Sequence, residues 1–367
     1  MATGLEDRLK YSRRLDWLST ENRLTEAVRR RRARGAEILD LTGTNPARAG
    51  IAHDPAILDA LLAPAALGYE PESAGLRPAR EAIARYEGVD PDRVLLTAST
   101  SEAYSFLFKL LADPGDGVLV PRPSYPLFEH LARLENVRIL PYPLRYAEGW
   151  WIDLPALRPL AARACAVIAV SPNNPTGSYL KQSEFAAIQE LGLPVIVDEV
   201  FRDYSYFSDP RRCIRPQGAF ILNGFSKLLG LPQMKLGWIV TPDAGSMRRL
   251  EWIADTYLSV SAPVQHAAAR WLDLRAGFHA RVMDRLRENL RQTHGHLHVE
   301  GGWSAILRLP ATRSEEDWAL DLLESQGVLI QPGYFYDFEQ EPFAVVSLLT
   351  PPEVFAEGLR RIWRLVN

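Results

Sequence analysis

Two lysines, Lys227 and Lys235, interrupt a stretch of otherwise apolar and small residues, NGFSKLLGLPQMKLGWIV, from Asn223 to Val240. An ammonium set among Phe225, Leu228, Leu229 and Leu231 costs free energy unless it is paired, deprotonated or used covalently. Asp198 closes the apolar run LPVIVDEVF, and ligands of open α/β sheets sit at the carboxyl ends of such strands. The plainer reading of Asp198 is a helix cap or a surface turn. RVLLTASTSEAYSFLF passes from a strand through small hydroxyl residues into a helix, whose free N–H groups favour an anion, so Ser99, Thr100 and Ser101 are candidate phosphate ligands. The spacing of Ser99 and Glu102 fits a local capping box equally well. SPNNPTG places Asn174 in a turn after CAVIAV, with an amide N–H to offer a ligand oxygen, or simply as a turn residue. Tyr125 in PSYPLFE is core filler or a ring that stacks on a flat ligand.

The elements that would position these groups are legible in the pattern of apolar runs. RVLLT, GVLV, VRIL, CAVIAV, PVIVDEV, AFILNGF and KLGWIV are each too short for a helix and bounded by turn residues, which predicts strands buried on both faces. Between the first two, Ala103, Phe106, Leu107, Leu110 and Leu111 recur at helical spacing. The alternation predicts an α/β fold, with a large domain over 45–275 built on a mainly parallel seven-stranded sheet between helices. After Pro242 the texture changes to long helical periodicity and then to mixed strands and helices. This predicts a smaller α+β domain from 276–367 together with the N-terminal arm and helix in 1–44. With 367 residues, 24% of them charged and a net charge of -3, the chain has a full core and no basic footprint for nucleic acid. Arg29 to Arg32 and Arg34 read as the solvated face of a helix. Cys165 and Cys213 make no disulfide framework, no Cys/His cluster has metal-ligand spacing, and no apolar run is long enough for a membrane span, so a cytoplasmic protein is expected.

One ligand satisfies all five chemical features. Pyridoxal phosphate carries a phosphate, a ring nitrogen that wants a carboxylate, a phenolic oxygen that accepts a hydrogen bond, a flat ring, and an aldehyde that condenses with a lysine amine. SPNNPTG, VDEVF, and SK followed by KLGW, in that order, give a sequence that resembles the class I/II aminotransferases of the fold-type I pyridoxal phosphate enzymes, from LTGTNP to the final helix. The resemblance implies that Lys227 is the Schiff-base lysine, that Asp198 pairs with the ring nitrogen, that Asn174 donates to the phenolic oxygen and that Tyr125 stacks on the ring. It further implies that Ser99, Thr100, Ser101 and Ser226 hold the phosphate. Lys235 stands where an arginine commonly helps them, and Tyr69 of GYEPESAGL resembles a tyrosine that reaches the phosphate from the other subunit of a homodimer. Gly43 of LTGTNP matches the glycine whose backbone approaches the substrate carboxylate.

The departures are as informative. Phe201 replaces the tyrosine of the D-x-x-Y pattern, and Gly224 stands where a serine is often seen. In PFAVVSLLT, Val345 occupies the place of the arginine that usually forks onto the substrate's α-carboxylate, and valine offers nothing equivalent. Arg14, with Arg13 beside it in the arm YSRRLDW, is the expected replacement, fastened over the site by Tyr11, Leu15 and Trp17. The resemblance implies amino-group transfer between an amino acid and a 2-oxo acid. The missing arginine keeps open a lyase, decarboxylase or oxidase using the same cofactor. A cofactor-binding transcription regulator would need a DNA-binding domain that residues 1–40 are too few to form.

Overall fold

A computed structural model describes residues 10–15, 21–207, 214–339 and 342–366. Among the described residues the strands are β1 (Leu39–Asp40), β2 (Val94–Thr97), β3 (Gly117–Arg122), β4 (Arg138–Tyr146), β5 (Trp150–Ile152), β6 (Ala166–Val170), β7 (Val195–Asp198), β8 (Phe220–Gly224), β9 (Gly237–Val240), β10 (Ser304–Arg308), β11 (Val328–Leu329), β12 (Gln331–Pro332) and β13 (Phe343–Ser347). The main sheet runs β2-β9-β8-β7-β6-β3-β4-β5. From β8 through β4 its neighbours are parallel, whereas β9 is antiparallel to both β2 and β8. The seven expected strands are present. The eighth, β5, is three residues long and returns antiparallel on β4 after a turn in which Glu148 takes a positive φ of 56°. WWI alone is too short to show a strand period in the sequence.

Every residue of β2, β6, β7, β8 and β9 is buried, as continuous Val/Ile/Leu runs require of strands covered on both faces. Alternate residues serve the two sides. Leu95, Ile168, Ile196 and Ile239 pack with the helices Thr100–Leu111 and Ala244–Tyr257, while Leu96, Val167, Val197 and Trp238 join the core shared with the smaller sheet. That smaller sheet has the antiparallel order β10-β13-β12, and β1 pairs in parallel with β11 next to it.

The helix Ala262–Gln292 links the two sheets. Near its start the Trp271 indole donates to the Ile57 carbonyl, and at its end the Asn289 amide donates to the carbonyls of Leu348 and Thr350. The division expected near residue 275 falls inside this one helix. Among the described residues no helix is long and apolar enough to cross a membrane, and no group of three or more His, Cys, Asp or Glu side chains could hold a metal ion. Cys213 and Trp17 lie outside the described residues.

Candidate active site

Register brings the chemical groups together at one end of the main sheet. Thr97 of β2 and Gly224 of β8 both pair with Gly237 of β9, so the segments that follow β2 and β8 emerge side by side. The first starts the helix at Thr100, and the second becomes the single turn Phe225–Leu228 that carries Ser226 and Lys227. Gly237 allows this approach, since a Cβ there would lie 3.2 Å from Asn223 O, Ser99 C and Thr100 N, all backbone atoms. Ser99 caps the helix. Its Oγ accepts from the Glu102 N–H at 3.2 Å, and Glu102 Oε2 accepts from the Ala98 N–H at 2.6 Å. The Ser99 cap is therefore real, with Glu102 reaching back to the amide of Ala98 instead of that of Ser99 as a full capping box would, and it coexists with an anion cradle, because the amides of Thr100 and Ser101 belong to the first turn and have no intrahelical partner.

Asp198 ends β7 and is only 6% exposed. Its Oδ2 accepts from the Tyr104 hydroxyl at 2.9 Å and its Oδ1 from the Val200 N–H at 3.1 Å. Burial pushes its pKa up to about 6, outweighing those two hydrogen bonds and the charge of Lys227. Lys227 is half-buried, and its Nζ lies 5.4 Å from the centre of the Phe201 ring and 5.1 Å from that of Trp303. No hydrogen-bond acceptor for that amine exists among the described residues. Burial lowers its pKa, against the opposing pull of Asp198. The Tyr204 hydroxyl holds the Lys227 carbonyl at 2.7 Å, which fixes the turn.

Tyr125 follows β3, packs edge-on against Phe128 at 5.7 Å, and has its pKa pushed up to about 12 by burial and by the charge of Asp198. Phe128 in turn packs edge-on against Tyr104, so one aromatic chain backs both the carboxylate and the candidate stacking ring. After β6 the two asparagines divide the work. Asn173 is structural, accepting from the Ser124 hydroxyl at 2.6 Å and donating to Pro123 O and Thr176 Oγ1, both at 2.9 Å, which ties the ends of β3 and β6 together. Asn174 is left with its Oδ1 at 3.5 Å from the Ser304 hydroxyl and its Nδ2 free among the described residues.

The remaining expected residues stand differently. Lys235 is exposed, has a positive φ of 54° and pairs with no carboxylate among the described residues. Gly43 accepts from the Ser347 hydroxyl at 2.5 Å, and a Cβ on it would meet nothing within 4 Å, so close packing does not explain the glycine. Tyr69 is 82% exposed. Val345 is 1% exposed in the middle of β13. Arg14, expected to close over the site, is exposed. Its Nη1 donates to the Leu134 carbonyl at 3.1 Å, Arg13 O accepts from Arg133, and no contact described for either arginine involves Lys227, Asp198, Tyr125 or Asn174. The carbonyls at the end of the helix Phe128–Leu134 attract a guanidinium as any helix terminus does.

Two sets of residues next to the site escape the sequence reading. Tyr104 looks like one more apolar-face aromatic of its helix, although a buried phenol always needs a partner. Arg202 is buried between Glu87 and Glu199 at 2.6 and 2.5 Å, and the Trp238 indole donates to Glu87 at 2.9 Å. Burial pushes the Glu199 pKa up to about 7. This ionic group anchors the loop immediately after Asp198.

Pyridoxal phosphate fits the donor set. An unpartnered amine of lowered pKa suits an aldehyde, a buried carboxylate with no contacting cation suits a ring N–H, and a free amide donor suits an oxygen. The helix start and neighbouring hydroxyls suit a phosphate. The class I and II aminotransferase family model matches residues 53–362. A probable aminotransferase, TAT2, of Arabidopsis thaliana is 33% identical over 212 residues, covering 53% of this chain and 50% of the relative. A histidinol-phosphate aminotransferase of Caulobacter vibrioides is 31% identical over 265 residues, covering 69% of this chain and 68% of the relative. Among solved structures, an alanine aminotransferase from Pyrococcus furiosus superposes with a TM-score of 0.84 at 25% identity, covering 97% of this chain and 99% of that one. The chain spans about half the length of several curated relatives it matches.

Proposed function

We propose, from the premise that this chain belongs to the class I and II aminotransferase family, that it is a pyridoxal phosphate-dependent aminotransferase moving an amino group between an amino acid and a 2-oxo acid. The observation that carries the reading is the half-buried Lys227 amine, without a hydrogen-bond partner, set between Phe201 and Trp303 and within the field of Asp198. The aminotransferase names of the relatives above support amino transfer over the lyase, decarboxylase and oxidase branches.

When bound, pyridoxal phosphate supplies an aldehyde for amines and an electron-poor ring that accepts the electron pair released at the substrate's α-carbon. Lys227 Nζ would hold the cofactor and would move a proton at that α-carbon. Its lowered pKa leaves more of it in the basic form at neutral pH. Asp198, fixed by Tyr104 and Val200, keeps a proton on the ring nitrogen. Tyr125 covers the ring and Asn174 donates from Nδ2. Ser99, Thr100, Ser101, Ser226 and Lys235 hold the phosphate.

The protein is further proposed to be a cytoplasmic homodimer in which the partner subunit's Tyr69 completes the phosphate site. Exposed Leu58, Leu62 and Leu67 beside Tyr69 support coverage of this surface by a second copy. Absorbance of the holoenzyme tests the function. Single amino acids should remove the long-wavelength band of the lysine-bound cofactor, and 2-oxo acids should restore it. A band that survives every amino acid would contradict the reading.

A further inference from the structure

The Lys227 amine has aromatic neighbours in place of a hydrogen-bond acceptor. Its Nζ lies over the Trp303 ring, 5.1 Å from the centre, and over the Phe201 ring at 5.4 Å. The two rings meet edge to face, with centres 5.2 Å apart and planes at 73°, so they form two walls of a corner against the amine. Phe201, which replaces a tyrosine, brings a ring face without a hydroxyl. Trp303 is 3% exposed, and its indole N–H is buried without a hydrogen-bond partner. The indole therefore meets the amine by its face and not through its N–H.

Trp303 is held from both sides. The Gly302 N–H donates to Tyr204 O at 2.8 Å, and Trp303 O accepts from the Leu348 N–H at 2.8 Å. The Trp303 ring packs edge-on against Tyr204 at 5.1 Å, and the Tyr204 hydroxyl donates to Lys227 O at 2.7 Å. One tyrosine thus ties the backbone of the lysine to the ring that faces its amine. A buried N–H without a partner costs free energy that leucine or phenylalanine would avoid, so the indole calls for a use beyond filling space.

A ring face suits a lysine that acts as a base. A carboxylate in contact would hold the amine as an ammonium, and a hydrogen-bond donor would occupy its lone pair. The negative face of an aromatic ring attracts the ammonium and leaves the lone pair of the neutral amine free. Among the described residues the charge that acts on this amine is that of Asp198. We propose that Trp303 is a positioning residue for Lys227, its ring face, with that of Phe201 beside it, holding the amine in place and stabilising its cationic form where no acceptor is offered. The inference rests on the reading of Lys227 as the base of amino transfer and adds the residue that sets its strength.

The test replaces Trp303 with tetrafluorotryptophan, which keeps the size of the ring and its exclusion of water but removes the negative face. The same replacement at Trp150, also buried with an unpartnered N–H and in no described contact with Lys227, is the control. In cofactor-free protein the pKa of Lys227 is read from the pH dependence of its acetylation by limiting acetic anhydride, quantified by mass on the peptide that contains it. Fluorination at Trp303 should lower that pKa by roughly 0.5–1.5, and fluorination at Trp150 should leave it unchanged. Asp198 and Glu199 are present in all three proteins, so the difference isolates the ring. In the holoenzyme, the half-reaction with the fastest-reacting amino acid should slow by roughly 2–5-fold at high pH, as a weaker base moves the proton. An unchanged Lys227 pKa, or an equal fall in the two fluorinated proteins, overturns the inference. A pKa that falls while the half-reaction keeps its rate also overturns it, because the ring would then hold the lysine without serving the reaction. If the pKa falls as expected and no amino acid reacts with the holoenzyme, the amino-transfer reading fails while the hold of Trp303 on Lys227 stands.

Discussion

Asp198 makes stability depend on pH and on the cofactor in a direction the structure fixes. An aspartate in the unfolded chain titrates near ~3.9. In the folded protein without cofactor, burial pushes Asp198 up to about 6. The folded state therefore holds the proton more tightly. Below the unfolded pKa both states are protonated and the group costs little, and as pH rises through about 6 the folded protein must bury a charge, so its stability falls. The separation of the two pKa values corresponds to roughly 2–3 kcal/mol.

Asp198→Asn removes the titration, and the difference between the two proteins isolates Asp198 from Glu199, which titrates in both. Urea unfolding of cofactor-free protein, followed by tryptophan fluorescence, measures it. From about pH 4 to pH 7.5 the variant should gain roughly 2–3 kcal/mol on the wild type. With pyridoxal phosphate added, a protonated ring nitrogen meets the ionised carboxylate, and the wild type's relative loss should shrink or disappear. Parallel stability curves for the two cofactor-free proteins would refute the burial argument. A gap that opens towards low pH instead would mean that Tyr104, Val200 and Lys227 outweigh the burial.

The other predictions concern the groups around that carboxylate. Arg202→Met should destabilise by about 3–5 kcal/mol in urea unfolding, because Glu87 and Glu199 stay buried without their cation, whereas Arg215→Met, at a mostly exposed side chain 3.9 Å from Glu87, should cost under about 1 kcal/mol. Lys235→Ala should raise the cofactor's dissociation constant several-fold at low salt and less at high salt, as an exposed charge is screened; equal effects at both would argue against a phosphate contact. Gly237→Ala should loosen cofactor retention, since its Cβ would press on the start of the helix at Thr100; an unchanged dissociation constant would show that the cradle tolerates the shift.

What the sequence made legible was local chemistry at strand ends. Lys227 and Asp198 stand out because a charge in an apolar run is improbable without a use, and the runs themselves specify the buried strands. Tyr104 and the Glu87–Arg202–Glu199 group were hidden because their partners lie far away in sequence. Tyr104 meets Asp198 across 94 positions, and Arg202 meets Glu87 across 115. The division of labour between Asn173 and Asn174 was hidden for the same reason, since only the contacts with Pro123 and Ser124 show which asparagine is occupied. Arg14 stays open to either use, because a basic residue between apolar neighbours reads alike whether it covers a site or caps a helix.

The central claim is that Lys227 holds the cofactor, and borohydride reduction of the holoenzyme followed by peptide mass mapping tests it most directly. The account predicts the reduced pyridoxyl phosphate mass on the peptide containing Lys227, and its loss in Lys227→Ala with the fold intact by circular dichroism. The same mass on Lys10, Lys109, Lys181 or Lys235 in place of Lys227, or on no peptide at all, would contradict it.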